Sequence, residues 1–291
     1  MMKFWCFMLM ALGSGVAAAQ PVMLWYNSHW PPFRIAEGPK AGQGRYDVLM
    51  QQLMQALPQY QHQVRQIHLA RITRVSASTK ESHCTFGLRY TAERANRSFF
   101  SEPAALITNL EINFTEANSK AQRFLSTVQA VDMAQLSHQP ELLGLLEADR
   151  AYPNLISHHL NQEGSNLGSS SMSTLNPAQL LEVGRVDYVV DYPNRLAFFA
   201  KEAGLELPLV SRAIEGLEPL SYGYVSCTKS VEGQQWIADI NKALSGLKLQ
   251  PGYRQAMLLW ATEPEKQLLL QHYSEFSLQR QIRPEQAETR E

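Results

Sequence analysis

The sequence predicts an α/β protein of two doubly wound domains joined by two hinge crossings, one domain built from both chain ends and the other inserted between them. Three observations carry this. Short apolar runs alternate with helical stretches along the chain, the pattern of a parallel sheet flanked by helices on both faces. Two extended stretches, residues 104–114 and 220–227, bracket a complete middle section with its own strand–helix alternation. The 291 residues, 45% hydrophobic and 18% charged, suit a globular chain long enough for two ordinary domains.

Residues 22–27 read as the first buried strand, since Val22, Met23, Leu24 and Trp25 are apolar and mostly β-prone. Two prolines then keep Ser28-His29-Trp30-Pro31-Pro32-Phe33 out of helix. An aromatic-flanked loop results at a strand's carboxyl end, where ligands collect in open α/β sheets. A turn over 42–47 leads into a helix marked by Leu49, Leu53, Met54 and Leu57 and stopped by Pro58. Asp47 is its cap or first-turn acid. Val64, Ile67 and Leu69 suggest a second strand, and 71–78 a short helix that starts at Arg71. The run 104–114 is the first crossing.

The middle section reads as a short helix over 131–136, a strand over 142–146 and a helix over 153–160. A Gly/Ser-rich loop (164–173) and a helix over 177–183 follow. Residues 186–190 form a strong strand ending at Asp191-Tyr192-Pro193, and 194–203 a helix closed by Gly204. Residues 220–227 return the chain, an amphipathic helix covers 232–247, and a last helical region runs from 253 to about 281. The boundaries are then 20–108 plus 218–291 for the first domain and 109–217 for the inserted one.

The first nineteen residues stand apart. Lys3 supplies a one-charge start, residues 4–12 an apolar core, and Ala17-Ala18-Ala19 a small-residue cleavage site, which together predict a secretory signal peptide and a periplasmic destination, with a retained membrane anchor, for which the apolar run is short, as the alternative. Two cysteines remain, Cys84 and Cys227. An oxidising compartment and an even count predict one disulfide between them, with two separately buried thiols as the alternative. Two distant cysteines with no CxxC or HxxxH companion predict no metal, and His158-His159 reads as a surface pair. No cofactor is expected. A net charge of -1 gives no basic field for nucleic acid.

Residues 84–103, CTFGLRYTAERANRSFFSEP, organise the rest. Cys84 to Leu88 is a short apolar strand. Thr91 is placed to cap the helix that carries Glu93 and Arg94. A guanidinium beside such a helix start suits a carboxylate, since its fork makes two parallel charge-assisted bonds. A local salt bridge from Arg94 to Glu93 or Glu102 is the alternative.

Thr-x-Glu-Arg followed by Phe-Ser-x-Pro resembles the polar amino-acid type of periplasmic solute-binding proteins, extracellular solute-binding family 3. Trp-Pro-Pro-Phe and Gly-x-Tyr-Asp-Val resemble further steps of that pattern. The resemblance implies a bilobal periplasmic binding protein-like type II fold, with Arg94 gripping a ligand carboxylate and Trp30 stacking on the ligand, against plain core packing of Trp30. It implies supporting roles for Arg89 and for Thr91, which stands in for hydroxyls that Phe86, Gly87 and Arg89 do not provide. The family's ammonium-binding acid falls at Tyr192, with Asp191 one residue early, and a one-residue shift turns a strand side chain to the opposite face. Arg94 and Arg89 would then select the anion, while Trp30 and Tyr192 give stacking surface. Asp187 reads as a structural acid.

The expected function is binding of a small polar, carboxylate-bearing, amino-acid-like solute between two lobes. Delivery would go to a membrane transporter or a membrane sensor, from a monomer. A degenerate binding fold serving as a protein-interaction or signalling module is the alternative. An enzyme is not expected: there is no Gly-x-Ser-x-Gly, no His-Glu-x-x-His and no close carboxylate pair with a role.

Overall fold

The computed structural model describes residues 20–68, 71, 81–148, 150–160, 162–171 and 175–282. The segment expected to be a signal peptide and the short helix expected over 71–78 lie outside the described residues, apart from Arg71, which is exposed. The strands in chain order are β1 (Val22–Asn27), β2 (Gln61–Gln66), β3 (Cys84–Leu88), β4 (Ser98–Thr108), β5 (Glu111–Thr115) and β6 (Ala130–Val131). They continue as β7 (Gly144–Glu147), β8 (Leu167–Ser170), β9 (Tyr188–Asp191), β10 (Leu209–Ile214) and β11 (Leu220–Thr228).

They form two sheets, in the orders β2-β1-β3-β11-β4 and β6-β10-β5-β9-β7-β8. The first takes its strands from both ends of the chain and the second from the middle, which gives two lobes. β1 lies between parallel neighbours β2 and β3, so Met23, Leu24, Trp25 and Tyr26 are all buried, as expected of a strand covered on both faces. The sheets are mixed, because the strands that carry the chain between lobes run against their neighbours. β11 is antiparallel to β3 and β4, and β5 to β9 and β10. The β4–β11 register shifts where Pro103 meets Tyr224, the position at which a residue without an N–H interrupts a ladder.

The helix Val231–Leu247 begins at Ser230, whose Oγ accepts from Gly233 N at 2.9 Å. Trp236, Ile237, Ile240, Leu244 and Leu247 are buried along it, and it packs on β4 and β11. Each such side chain contributes about 1.5–3 kcal/mol of burial. The expected last helix is two, Pro251–Met257 and Glu263–Leu278. They are separated by Trp260 at φ 61° and by Pro264 in the first turn of the second. Asp47 sits in the third position of the helix Arg45–Gln55, its Oδ2 accepting from Gly44 N at 3.1 Å and Ile35 N at 2.8 Å. The Gly/Ser-rich stretch is a strand in part: β8 pairs in parallel with β7 at the sheet edge. β10 was not anticipated from the sequence.

Cys84 and Cys227 face each other in the β3–β11 register and form a disulfide across a separation of 143 residues. It ties the returning chain to the start of β3, and closing so long a loop stabilises a fold by about 2–5 kcal/mol.

The crossings touch. β4 passes to β5 through Asn109 and Leu110, and Asn109 N donates to Pro219 O while its side chain donates to Glu218 O, both at 3.0 Å. Glu111 opens β5 on the wall of a cavity of about 900 Å³ that also touches Glu265. Both Glu265 oxygens are engaged, by Thr108 Oγ1 and by Thr262 N, each at 2.7 Å. Burial, and then the Glu265 charge, push the Glu111 carboxyl up to about 7. An acid raised by folding adds stability that is complete below the usual carboxylate value and is lost as pH rises through 7. The melting temperature should fall between pH 5 and pH 7.5, and Glu111→Gln should flatten that slope; an unchanged slope in the variant would place its origin elsewhere.

Candidate functional site

The seam between the lobes is built from strand ends. On the first lobe, β1 ends at Asn27 and its following loop presents Trp30 and Arg34, which bridge each other through backbone bonds of 2.8 and 2.9 Å. β3 ends at Leu88 and presents Arg89. The turn into the helix Ala92–Ala95 follows, where Thr91 Oγ1 accepts from Arg94 N at 3.2 Å. On the second lobe, the parallel neighbours β7 and β9 end at Glu147 and Asp191. Arg150 follows β7, and Tyr192 immediately precedes the helix Pro193–Glu202, whose first turn carries Arg195.

Between these ends lies a cavity of about 50 Å³, touched by Trp30, Arg34, Tyr46, Arg89, Arg94, Arg150 and Tyr192 among others. Four arginines therefore line it. Arg94 Nη1 donates to Arg89 O at 2.9 Å, and burial, then the Arg89 charge, pull Arg94 down to about 10. Arg89 donates to Asn109 Oδ1 at 3.3 Å and to Tyr192 Oη, across the seam, at 3.4 Å. Arg34 donates to Ser28 Oγ at 3.0 Å and to Phe86 O. Burial lowers Arg34 and Arg89 as well. Neither Glu93 nor Glu102 takes Arg94: Glu93 pairs with Arg97, and Glu102 with Lys248 and Arg280.

The second-lobe carboxylates are already engaged. Asp191, 0% exposed, accepts from Arg150 Nη1 and Tyr192 N on Oδ1, at 3.0 and 2.8 Å, and from Arg195 Nε on Oδ2 at 3.0 Å. Glu147 Oε2 lies 3.1 Å from Arg195 Nη2 and accepts from Trp30 Nε1, across the seam, at 3.1 Å. Two carboxylates and two guanidiniums thus close into a neutral group with the Trp30 indole on it. The Arg150 and Arg195 Cζ atoms stand 4.9 and 4.8 Å from the Trp30 ring centroid, and Phe33 stacks on Trp30 at 4.6 Å. Gly87 adopts φ 76°, and a Cβ there would meet Tyr46 Cε2 at 2.3 Å. The Tyr46 ring fills the space that a hydroxyl side chain at position 87 would need.

Of the residues expected from sequence, Trp30, Arg89, Arg94 and Tyr192 line one cavity. Thr91 caps its helix and Asp191 holds two arginines. Sequence reasoning missed Arg34, Arg150, Arg195 and Glu147. Their signal was positional: Arg34 directly follows the Trp-Pro-Pro-Phe loop, and Glu147 and Arg150 follow an apolar strand at its carboxyl end.

Against solved structures the chain has many matches, all at low identity among the following. It matches the probable amino-acid ABC transporter extracellular-binding protein ytmK from Bacillus subtilis with a TM-score of 0.64 and 15% identity, over 85% of this chain and 100% of that one. A histidine kinase sensor domain with similarity to periplasmic binding proteins gives 0.63 and 15%, over 83% and 96%. The GluR0 ligand-binding core from Nostoc punctiforme, in complex with L-glutamate, gives 0.60 and 16%, over 83% and 99%. The fold is that of bilobal type II periplasmic binding proteins. No protein-family model matches the chain, and no curated protein matches it. Among the described residues of this bilobal chain, no helix is long and apolar enough to cross a membrane.

In this bilobal setting Asp191 is the anion between two buried guanidiniums, and removing one partner of such a group is strongly destabilising. Asp191→Asn should lower stability by about 3–5 kcal/mol in urea unfolding. A loss below about 1 kcal/mol would mean that the group behaves like a solvated surface bridge.

Proposed function

We propose that this protein binds a small carboxylate-bearing solute between its two lobes and hands it to a membrane transporter or presents it to a membrane sensor. The observation that carries the reading is Arg94 beside Arg89 on the wall of the interlobe cavity. A guanidinium held above its preferred degree of burial is stabilised by an anion, and its planar fork suits a carboxylate. Trp30 and Tyr192 would flank the bound solute, and Thr91 would hold the helix that aims Arg94. Export by an amino-terminal signal peptide would place the work in the periplasm, without chemistry on the solute.

A cavity of about 50 Å³ is small beside ordinary ligand sites of about 300–1,000 Å³. The lobes would therefore part to admit solute, by the hinge motion such architectures use. The same side-chain bridging favours a second reading, in which the closed molecule is itself recognised by a membrane signalling protein. A thermal-shift screen over amino acids, dicarboxylates and short peptides separates the two, because a true ligand raises the midpoint.

The direct test is calorimetry on the best ligand of that screen with Arg94→Ala. Losing a buried, bidentate charged contact should weaken binding by about 2–5 kcal/mol. Unchanged affinity in the variant would remove Arg94 from the site.

A further inference from the structure

Arg150 sits in surroundings that resemble a ligand site more than a surface. Its Cζ lies 4.6 Å from the Tyr192 ring centroid, 4.9 Å from Trp30 and 5.2 Å from Tyr152. Its Nη1 donates to Asp191 Oδ1 at 3.0 Å, and Glu147 Oε2 is 4.0 Å away. The side chain is 7% exposed, and Nη2 is buried with no hydrogen-bond acceptor. Three aromatic rings and a buried carboxylate are the chemistry that recognises an ammonium or guanidinium group. The chain fills that place with a cation of its own.

Charge elsewhere in the cavity points the other way. Arg34, Arg89 and Arg94 line it beside Arg150. Among the described residues, the carboxylates of the seam, Glu147 and Asp191, are spent on Arg150 and Arg195. Arg34 and Arg94 bond instead to a hydroxyl and to backbone carbonyls. Asp47 and Glu93 act on Arg34 and Arg94 only through space, without a bond to either, so what is left to attract is negative charge.

We infer that Arg150 is a built-in occupant of the second lobe's cation subsite, so that the solute taken by this cleft carries two or more anionic groups and no ammonium. The statement about the solute rests on the solute-binding reading above; the statement about Arg150 does not. Because Arg150 comes from the loop after β7 and Asp191 from the end of β9, the subsite is made wholly within the second lobe, and Trp30 closes it from the first.

Two measurements test this. In the first, methylguanidinium chloride at millimolar concentration is added to Arg150→Ala, to Arg150→Lys and to the wild type, with sodium chloride as the ionic-strength control. A small cation that re-enters the cage should raise the melting temperature of Arg150→Ala by about 3 °C or more and leave the other two unmoved. In the second, matched pairs that differ only by the ammonium, succinate against L-aspartate and glutarate against L-glutamate, are titrated into the wild type and Arg150→Ala. The wild type should prefer the diacids at least tenfold, and the variant should lose most of that preference.

No response of folded Arg150→Ala to methylguanidinium, or equal wild-type affinity for a diacid and its amino counterpart, would overturn the inference. Should Arg150→Ala fail to fold, the wild-type pairs decide. A successful rescue with no diacid bound by the wild type would leave Arg150 in its cage and count against the solute-binding reading instead.

Discussion

Buried guanidinium charge at the lobe seam is the constraint to which the rest of the structure answers. Removing an arginine from water is costly unless a partner charge or a full set of acceptors meets it. On the second lobe that condition is met internally, since Asp191 and Glu147 stand between Arg150 and Arg195. On the first lobe Arg34 and Arg94 are met by a hydroxyl and by backbone carbonyls, which orient the cations without cancelling their charge. Among the described residues the seam is therefore electrically lopsided: the second-lobe arginines are ion-paired, while Arg34 and Arg94 have carboxylates, Asp47 and Glu93, only through space.

The scaffold explains how such a wall is held. Parallel strands β1 and β3 end side by side on the first lobe, and β7 and β9 on the second. Four loops consequently converge on one gap, a consequence of strand direction more than of any single residue. The Cys84–Cys227 disulfide anchors β11 to the start of β3, the strand whose other end carries Arg89. The two crossings are bonded to each other, through Asn109 and Glu218–Pro219. Trp30 makes the cross-seam contact of greatest consequence, since it bonds Glu147 and covers both second-lobe guanidiniums.

Much of this could be read from sequence where the signal is local. β1, β3, β9 and the helix Val231–Leu247 declare themselves by apolar runs or by helical spacing. β8 did not, because Leu-Gly-Ser-Ser has loop chemistry and becomes a strand only by pairing with β7. β10 escaped for a related reason: it is half-exposed and its state is set by β5. At the site, Arg94, Arg89, Trp30 and Tyr192 were marked by motif and share one cavity. Arg150, Glu147 and Arg195 were not, since their importance arises only when the ends of two strands 44 residues apart, at Glu147 and Asp191, are placed next to each other. Thr91 caps the Arg94 helix, as its place in the sequence suggests, and Asp191, one residue before the motif's acid position, is held in a charge group.

The most direct measurement is a crystal structure of the protein with whichever anion stabilises it most. The account predicts acidic groups of that molecule within about 3 Å of the Arg94 and Arg89 guanidiniums, between the lobes, with Arg150 still against Asp191. A ligand bound outside the seam, or an ammonium on Asp191 with Arg150 displaced into solvent, would contradict it.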